Sequence, residues 1–289
     1  MAGVSDVSGE PWLEAADGRN TGMDTTDTAG MPELVGMVHL PALPGAPGFD
    51  GDREALRERA VADAEALVGE GMDAVLVENF GDAPFHPDAV PRHIVAAMTT
   101  LVDAVGRAVD VPVGVNVLRS DGPGAMAVAA AAGASFVRVN VHAGARLTDQ
   151  GVVEGRANET LRLRDRLDAP DVRVLADVGV KHSAALAERP LPAVARETVK
   201  RGGADGVVVS GPATGEPVDR ERLETVGAVA TETGVPLVVG SGVTPDSVAT
   251  VLGIADAVIV GTALKRNGDP TAPVERERVA ELVSAARRD

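Results

Sequence analysis

The feature that most restricts the fold of this 289-residue chain is a regular alternation of short, valine-rich runs with longer amphipathic segments. Parallel sheets covered by helices produce this pattern, because each strand is buried on both faces and needs a crossover helix to reach the next strand. Eight runs are predicted to be strands: 34–40, 74–80, 111–117, 136–141, 172–178, 206–211, 236–242 and 257–264.

Eight amphipathic segments lie between and after these runs, and several open with proline near the first turn and close on glycine, as helices prefer. They are 53–70, 87–109, 123–132, 158–167, 191–201, 219–233, 245–252 and 273–287. Eight strands alternating with eight helices predict an α/β fold, a single (β/α)8 TIM barrel over residues 31–289. A doubly wound open sheet is the alternative, but no G-x-G-x-x-G follows the first strand. Residues 1–30 are polar and aperiodic, which predicts either a disordered extension or a misplaced start codon with Met31 as the true start.

The charge balance restricts the partners. The formal net charge is −16, with 43 acidic and 27 basic residues of which three are lysines. Nucleic acid is disfavoured as a partner, because a phosphate backbone attracts basic patches. Acid-rich, lysine-poor composition indicates a salt-loving source, a halophilic archaeon, since molar salt screens self-repulsion. Acidic drift in a high-GC genome is the other interpretation.

Cysteine usage and hydropathy indicate the compartment. The chain has no cysteine, which removes disulfides and thiolate chemistry and fits a reducing cytosol. No apolar run reaches the ~20 residues of a membrane span, and the N-terminus lacks a signal peptide pattern. We therefore expect a cytoplasmic protein without a membrane span, and the sequence does not distinguish a monomer from a homo-oligomer.

Polar residues cluster where the predicted strands end, which is where TIM barrels carry their catalytic groups. Period-two alternation places Arg138, Asn140 and His142 on one face of the fourth strand. Arg138 inside a barrel needs a partner, so it either pairs with Glu78 or Asp177 or holds an anionic ligand. We expect Glu78, Asp177 and Arg138 to be catalytic, and a further group to bind substrate: His39, Asn79, Asn116, Asn140, His142 and His182.

The stretch "VLADVGVKHSA" places Lys181 four residues beyond Asp177, in the loop after the fifth strand. Three roles are open to this lysine: a Schiff base with a sugar carbonyl, neutralisation of phosphate, or a salt bridge with Asp177. The electrostatic role is favoured, because Schiff-base lysines of barrels usually project from a strand and Lys181 follows a glycine turn. We therefore add Lys181 to the predicted catalytic group.

Two glycine-bearing turns follow the seventh and eighth strands and predict a phosphate site. Gly240, Ser241 and Gly242 come after the seventh strand, and Gly261 and Thr262 after the eighth. Glycines let backbone N–H groups approach an anion, and the helix expected at Pro245 with Thr244 as its N-cap would add a positive dipole. A divalent metal is disfavoured, because the histidines show neither H-x-H nor H-E-x-x-H spacing. Inorganic phosphate is expected as a co-substrate, with no other cofactor.

Four segments carry a resemblance to a known family: "GMVHLPALPG", "VENFGDAPF", "ADVGVKHS" and "GTALK". They are similar to signature segments of the BtpA/SgcQ family, and the similarity runs from about Met31 to the C-terminus. The resemblance implies a phosphate-binding type of TIM barrel. The family's name comes from a photosystem I biogenesis phenotype, which describes a genetic consequence and specifies no reaction.

Three functions are compatible with these features. The first is an enzyme that binds phosphate and a ribosyl or phosphosugar substrate, with nucleoside phosphorolysis to free base and ribose 1-phosphate as the specific expectation. The second is a phosphosugar isomerase or aldolase that uses Lys181 or Glu78 in proton chemistry. The third is an assembly factor without catalysis. The polar residues at the carboxyl ends of the predicted strands, the mouth of the barrel, argue against a purely structural role. Each buried polar group costs stability unless it is paired.

Overall fold

Eight parallel strands close into a barrel, as the alternation predicts. The computed structural model describes residues 30–180, 182–211 and 218–287. The eight barrel strands are β1 (Leu34–His39), β2 (Ala74–Glu78), β3 (Val113–Asn116), β4 (Phe136–Val139), β7 (Arg173–Asp177), β9 (Gly206–Val209), β10 (Leu237–Val239) and β11 (Ala257–Val260). Their order around the barrel is β1-β11-β10-β9-β7-β4-β3-β2, in which every neighbouring pair is parallel.

Helices surround the barrel and connect successive strands. They are α1 (Arg53–Gly69), α2 (Arg92–Ala108), α3 (Gly122–Ala132), α4 (Ala157–Arg166), α5 (Leu191–Lys200), α6 (Arg220–Thr233), α7 (Val248–Leu252) and α8 (Arg276–Ala286). Side-chain caps explain several starts, because Asp52, Asp121 and Asp219 each accept hydrogen bonds from first-turn amides. Among the described residues, none of the helices has the length and apolar character needed to cross a membrane.

Three of the predicted helices begin later than expected. The segments expected from 87, 245 and 273 become helical only at Arg92, Val248 and Arg276. The amide of Val90 donates to Asp121 Oδ2 at 2.9 Å, which keeps the chain before α2 out of a helical turn. In these segments proline marks the approach to the helix and not its first turn.

Apolar side chains fill the lower bore of the barrel. Met37, Leu76, Phe136, Leu175 and Ile259 belong to one inward-facing cluster. Gly114 makes room for the Phe136 ring, because a Cβ at this position would overlap it. A second and larger cluster joins the outer faces of the strands to the helices. Among the described residues, the bore is therefore a packed core below the carboxyl ends of the strands.

A small antiparallel sheet stands beside the mouth, and the sequence pattern did not predict it. Its strands are β5 (Ala145–Thr148), β6 (Gly151–Glu154) and β8 (Ala184–Ala185), in the order β6-β5-β8. Val153 packs with Val141 and Val180 underneath it. The sheet ties the loop after β4 to the loop after β7.

Candidate functional site

A row of four polar residues crosses four adjacent strands at the mouth. His39 is in register with Glu78, Glu78 with Asn116, and Asn116 with Arg138. Residues in register on neighbouring strands face the same side of a sheet, so these four face the inside of the barrel. The layer of side chains directly below them in the bore is apolar and includes Met37, Leu76 and Phe136. All four side chains are buried. The structure therefore brings together four residues that the sequence placed only at separate strand ends.

Arg138 is held by Asp177. Its Nε donates to Asp177 Oδ1 at 2.8 Å and its Nη2 to Oδ2 at 2.9 Å, and Nη2 also lies 3.4 Å from the Gly240 carbonyl oxygen on the far side of the bore. Burial would lower the pKa of Arg138, but the charge and hydrogen bonds of Asp177 raise it. Of the two partners expected from the sequence, Asp177 is the one that neutralises the guanidinium. The Asn140 amide donates to the same carboxylate at 3.1 Å.

His39 and Glu78 are neighbours in the row and both line the cavity, as Arg138 does. The Nε2 of His39 lies 3.8 Å from Glu78 Oε1, and its ring stacks on Phe80 at a centroid distance of 4.5 Å. Nδ1 lies 2.9 Å from the Pro270 carbonyl oxygen, which can only accept, so Nδ1 carries a hydrogen. Nε2 is then the nitrogen that can take up a proton next to the carboxylate.

The glycine turns offer unsatisfied donors. Among the described residues, no acceptor is found for the backbone amides of Ser241, Gly242, Gly261 and Thr262. The buried hydroxyl of Ser241 is also without a partner there. All four residues line one cavity, and backbone and hydroxyl donors that bind no protein group are what an anion site requires. Gly240 differs, because its amide donates to the Val209 carbonyl at 2.8 Å.

The helix expected at Pro245 was predicted to add a positive dipole to the phosphate site, and this prediction is wrong. Thr244 is not the N-cap of a helix at Pro245, because residues 244–247 form a turn in which Ser247 Oγ accepts from the Thr244 amide at 3.0 Å. Helix α7 starts at Val248 and has five residues. A helix this short carries little dipole, so the amides and the Ser241 hydroxyl are the anion donors of this site.

One cavity of about 150 Å³ joins the glycine turns to the polar row. It is smaller than the roughly 300–1,000 Å³ of pockets that enclose drug-sized ligands, so it fits an anion and part of a larger molecule. Its lining includes His39, Glu78, Phe80, Arg138, Gly240, Ser241, Gly242, Thr244, Gly261, Thr262 and Gly268.

Several predicted site residues lie elsewhere. The Asn79 side chain has a structural role: its Oδ1 accepts a hydrogen bond from the Leu118 amide at 2.7 Å, and its Nδ2 donates to the Asp82 carboxylate. His142 is not on the cavity face with Arg138: its Nε2 donates to the Gly202 carbonyl at 2.8 Å, and burial lowers its pKa. His182 is exposed and has a positive φ of 52°. None of these three lines the cavity.

Two buried amide oxygens remain unsatisfied behind the cavity. Asn116 donates to Glu78 Oε2 at 2.5 Å and Asn140 to Asp177, yet the Oδ1 atoms of both asparagines have no partner among the described residues. A buried acceptor without a donor costs stability. Neither asparagine lines the cavity, so these two oxygens lie behind its wall. Lys181 lies outside the described residues, and its predicted role is untested.

Sequence reasoning missed Lys265, which is fully buried. Its amine lies 3.4 Å from Asp63 Oδ2 on α1, and the same carboxylate accepts from the Val274 amide at 2.8 Å. Burial lowers the pKa of Lys265 to about 8. Asp63 thus fixes both ends of the connection between β11 and α8, which supplies Gly268 to the cavity wall. A signal for this residue was available, because the chain has only three lysines and one of them ends the "GTALK" segment.

The described residues contain no group of three or more histidine, aspartate or glutamate side chains placed to hold a metal ion. The donors that do converge, backbone amides and a hydroxyl, suit an anion.

Solved structures confirm the fold. The chain is similar to thiamine phosphate pyrophosphorylase from Pyrococcus furiosus, with a TM-score of 0.53 and 18% identity over 90% of this chain and 98% of that one. It is also similar to a tryptophan synthase structure from M. tuberculosis, with a TM-score of 0.55 and 21% identity over 92% and 96% of the two chains. At these identities the similarity shows the (β/α)8 fold alone.

Sequence relatives show the family. The photosystem I biogenesis protein BtpA of Synechocystis is 42% identical over 252 residues, which are 87% of each chain. An uncharacterized protein of Thermococcus kodakarensis is 45% identical over 255 residues, 88% of this chain and 95% of that one. These sources do not establish a halophilic origin, which stays a prediction from composition. The BtpA family model matches residues 31–288, and the chain therefore belongs to the BtpA family.

Proposed function

We propose that this protein is an enzyme that binds inorganic phosphate at the turns after β10 and β11 and transfers a ribosyl group to it from a nucleoside. The observation that carries this proposal is the cavity itself, which has free amides and the Ser241 hydroxyl on one side and the carboxylate of Glu78 on the other. When the bond to the base breaks, the sugar carbon C1′ becomes an oxocarbenium-like centre. A carboxylate on one side stabilises its positive charge, and a phosphate on the other side attacks it.

Each residue then has a defined role. Ser241, Gly242, Gly261 and Thr262 hold the phosphate, and Glu78 stabilises positive charge on the sugar. His39 exchanges a proton with the departing base through Nε2. Asp177 is a positioning residue, because Arg138 and Asn140 bind its carboxylate. Lys181 is assigned to charge neutralisation on its sequence position alone.

A phosphosugar isomerase or aldolase is the second candidate. The 3.8 Å contact between His39 and Glu78 beside the anion donors favours it, because this pair can move a proton on a sugar phosphate held by the same turns. The third candidate is an assembly factor, which the name of the Synechocystis relative favours.

A substrate panel separates the three candidates. The full-length protein is incubated with purine and pyrimidine nucleosides and with pentose and hexose phosphates, each with and without inorganic phosphate, and products are followed by chromatography. Phosphorolysis predicts base release that needs phosphate and falls about a hundredfold in Glu78→Gln. Conversion of phosphosugars alone indicates the isomerase or aldolase. No turnover of any compound indicates a binding protein.

A further inference from the structure

One charged side chain lies on the buried face of helix α1, every residue of which the structure describes. The buried residues of this helix are Leu56, Ala60, Asp63, Ala64, Ala66 and Leu67. Among them Asp63 alone is charged. A carboxylate between alanine and leucine side chains costs stability unless hydrogen-bond donors and positive charges surround it. The contacts of Asp63 therefore indicate what this residue does.

Asp63 uses both carboxylate oxygens to hold one loop. Its Oδ1 accepts from the Val274 amide at 2.8 Å. Its Oδ2 accepts from Arg59 Nε at 3.0 Å, and Lys265 Nζ lies 3.4 Å from the same oxygen. Lys265 and Val274 face each other in an antiparallel bridge. Asp63 thus binds both sides of the base of a hairpin-like loop, residues 265–274, which we call the β11–α8 loop.

The far end of the β11–α8 loop contacts His39. The Pro270 carbonyl oxygen lies 2.9 Å from His39 Nδ1. The next residue, Thr271, is tied back to α1, because Arg59 Nη2 donates to its carbonyl oxygen at 3.4 Å. Asp63 and Arg59 therefore fix the loop that carries the Pro270 carbonyl to the histidine.

The Pro270 carbonyl determines which nitrogen of the neutral His39 ring carries the hydrogen. A carbonyl oxygen only accepts, so it keeps the hydrogen on Nδ1 and leaves Nε2 as the acceptor. Nε2 lies 3.8 Å from Glu78 Oε1. If the carbonyl moved away, the hydrogen would favour Nε2, where the Glu78 carboxylate can accept it. The neutral ring could then no longer take up a proton at Nε2.

We propose that Asp63 is a positioning residue for His39. By holding the β11–α8 loop, it keeps the Pro270 carbonyl at Nδ1 and leaves Nε2 able to take up a proton. This inference rests on the proposed function, in which His39 exchanges a proton with the departing base through Nε2. Asp63 does not line the cavity, so it acts through the loop and not on the substrate.

The tautomer of His39 can be measured without any substrate. The full-length protein is labelled with ¹⁵N-histidine, and NMR at a pH at which the imidazoles are neutral distinguishes the nitrogen that carries hydrogen from the one that does not. The His39→Gln spectrum identifies the signals that belong to His39. Wild type should carry the hydrogen on Nδ1, and Asp63→Asn should shift the population towards Nε2.

Two further variants make the measurement decisive. Glu224→Gln is the matched control, because Glu224 pairs with an arginine four residues earlier, as Asp63 does, but at an exposed position. This control should keep the wild-type tautomer. Arg59→Met removes the donors to Asp63 and Thr271 at a partly exposed position, so the fold should survive and the His39 tautomer should shift in the same direction. Circular dichroism and thermal melting check that each variant is folded.

Two results would overturn the inference. One is a folded Asp63→Asn protein that still carries the hydrogen on His39 Nδ1. The other applies if Asp63→Asn does not fold: Arg59→Met then decides, and a wild-type tautomer in that variant contradicts the role of Asp63.

The proposed function fails in a different way. A shifted tautomer in Asp63→Asn, with a wild-type protein that releases no base, would support the positioning role and refute phosphorolysis. Phosphate-dependent base release with the same kcat in wild type and Asp63→Asn would leave phosphorolysis intact and contradict the positioning role. If both proposals hold, Asp63→Asn should lower kcat by about tenfold or more, towards the ~10²-fold of a lost general acid. The KM for phosphate should stay unchanged, because the phosphate donors belong to other residues.

Discussion

Arg138 and Asp177 form two parallel hydrogen bonds between neighbouring strands of the barrel, with 3% and 1% of their side chains exposed. The pair fixes the guanidinium beside the cavity and occupies both oxygens of the aspartate. Removing one partner of such a buried pair leaves an uncompensated charge, whereas replacing both with apolar residues of similar size does not.

Asp177→Asn should therefore lower the free energy of unfolding by about 3–5 kcal/mol. Urea unfolding followed by circular dichroism measures this change. The control is the double variant Arg138→Met with Asp177→Leu, which should recover most of the lost stability because neither charge remains. An Asp177→Asn protein as stable as wild type would show that the pair does not hold the mouth together.

Gly261→Ala should weaken phosphate binding by about tenfold or more, which corresponds to ~1.4 kcal/mol. A Cβ at Gly261 would lie 3.1 Å from His39 Cε1 and occupy space in the cavity. Calorimetric titration with inorganic phosphate measures the affinity. Gly106→Ala is the control, because a Cβ at this helical position meets nothing within 4 Å. Equal phosphate affinity of the two folded variants would remove Gly261 from the site.

Lys265 should give stability a defined pH dependence. Its pKa is about 8 in the folded protein against an ordinary 10.5, so between these values the unfolded chain binds more protons than the folded one. Stability must then rise with pH through this window, and the penalty of about 3 kcal/mol is complete only below pH 8. Urea unfolding from pH 7.5 to 10.5 should show this rise in wild type and in Lys200→Met, which removes an exposed lysine, but not in Lys265→Met. Parallel curves for wild type and Lys265→Met would contradict the assignment.

The net charge of −16 predicts a response to salt. Repulsion among carboxylates destabilises the folded state, and molar salt shortens its range to about 3 Å. The melting temperature should therefore rise when KCl is added from dilute buffer to 2 M, as measured by differential scanning calorimetry. A melting temperature that falls over this range would count against the salt-loving interpretation of the composition.

The eight barrel strands could be predicted because parallel strands that are buried on both faces appear as continuous valine-rich runs. The hairpin of β5 and β6 was missed because "ARLT" and "GVVE" are too short to show a period, although Gly151, the first residue of β6, marks a turn with a φ of 97°. His142 was misplaced for a related reason. Strand β4 ends at Val139, so the period-two rule no longer applies three residues later.

The partners within the site could not be read from the sequence, because they depend on strand register and distant contacts. Arg138 is in register with Leu175, and only the two-residue offset along β7 brings Asp177 to its guanidinium. The sequence "GTALKRNG" is typical of a loop with an exposed lysine, but Lys265 is buried and its amine contacts Asp63, which lies 202 residues earlier. Neither relationship has a local sequence signal.

The most direct test of the account is whether base release requires phosphate. Wild-type protein is mixed with a nucleoside, with and without inorganic phosphate, at high salt, and the reaction is followed by ³¹P NMR and by the absorbance of the free base. The account predicts free base and an equal amount of a new sugar 1-phosphate resonance only when phosphate is present. Absence of base release under all these conditions, or base release at the same rate without phosphate, would contradict it.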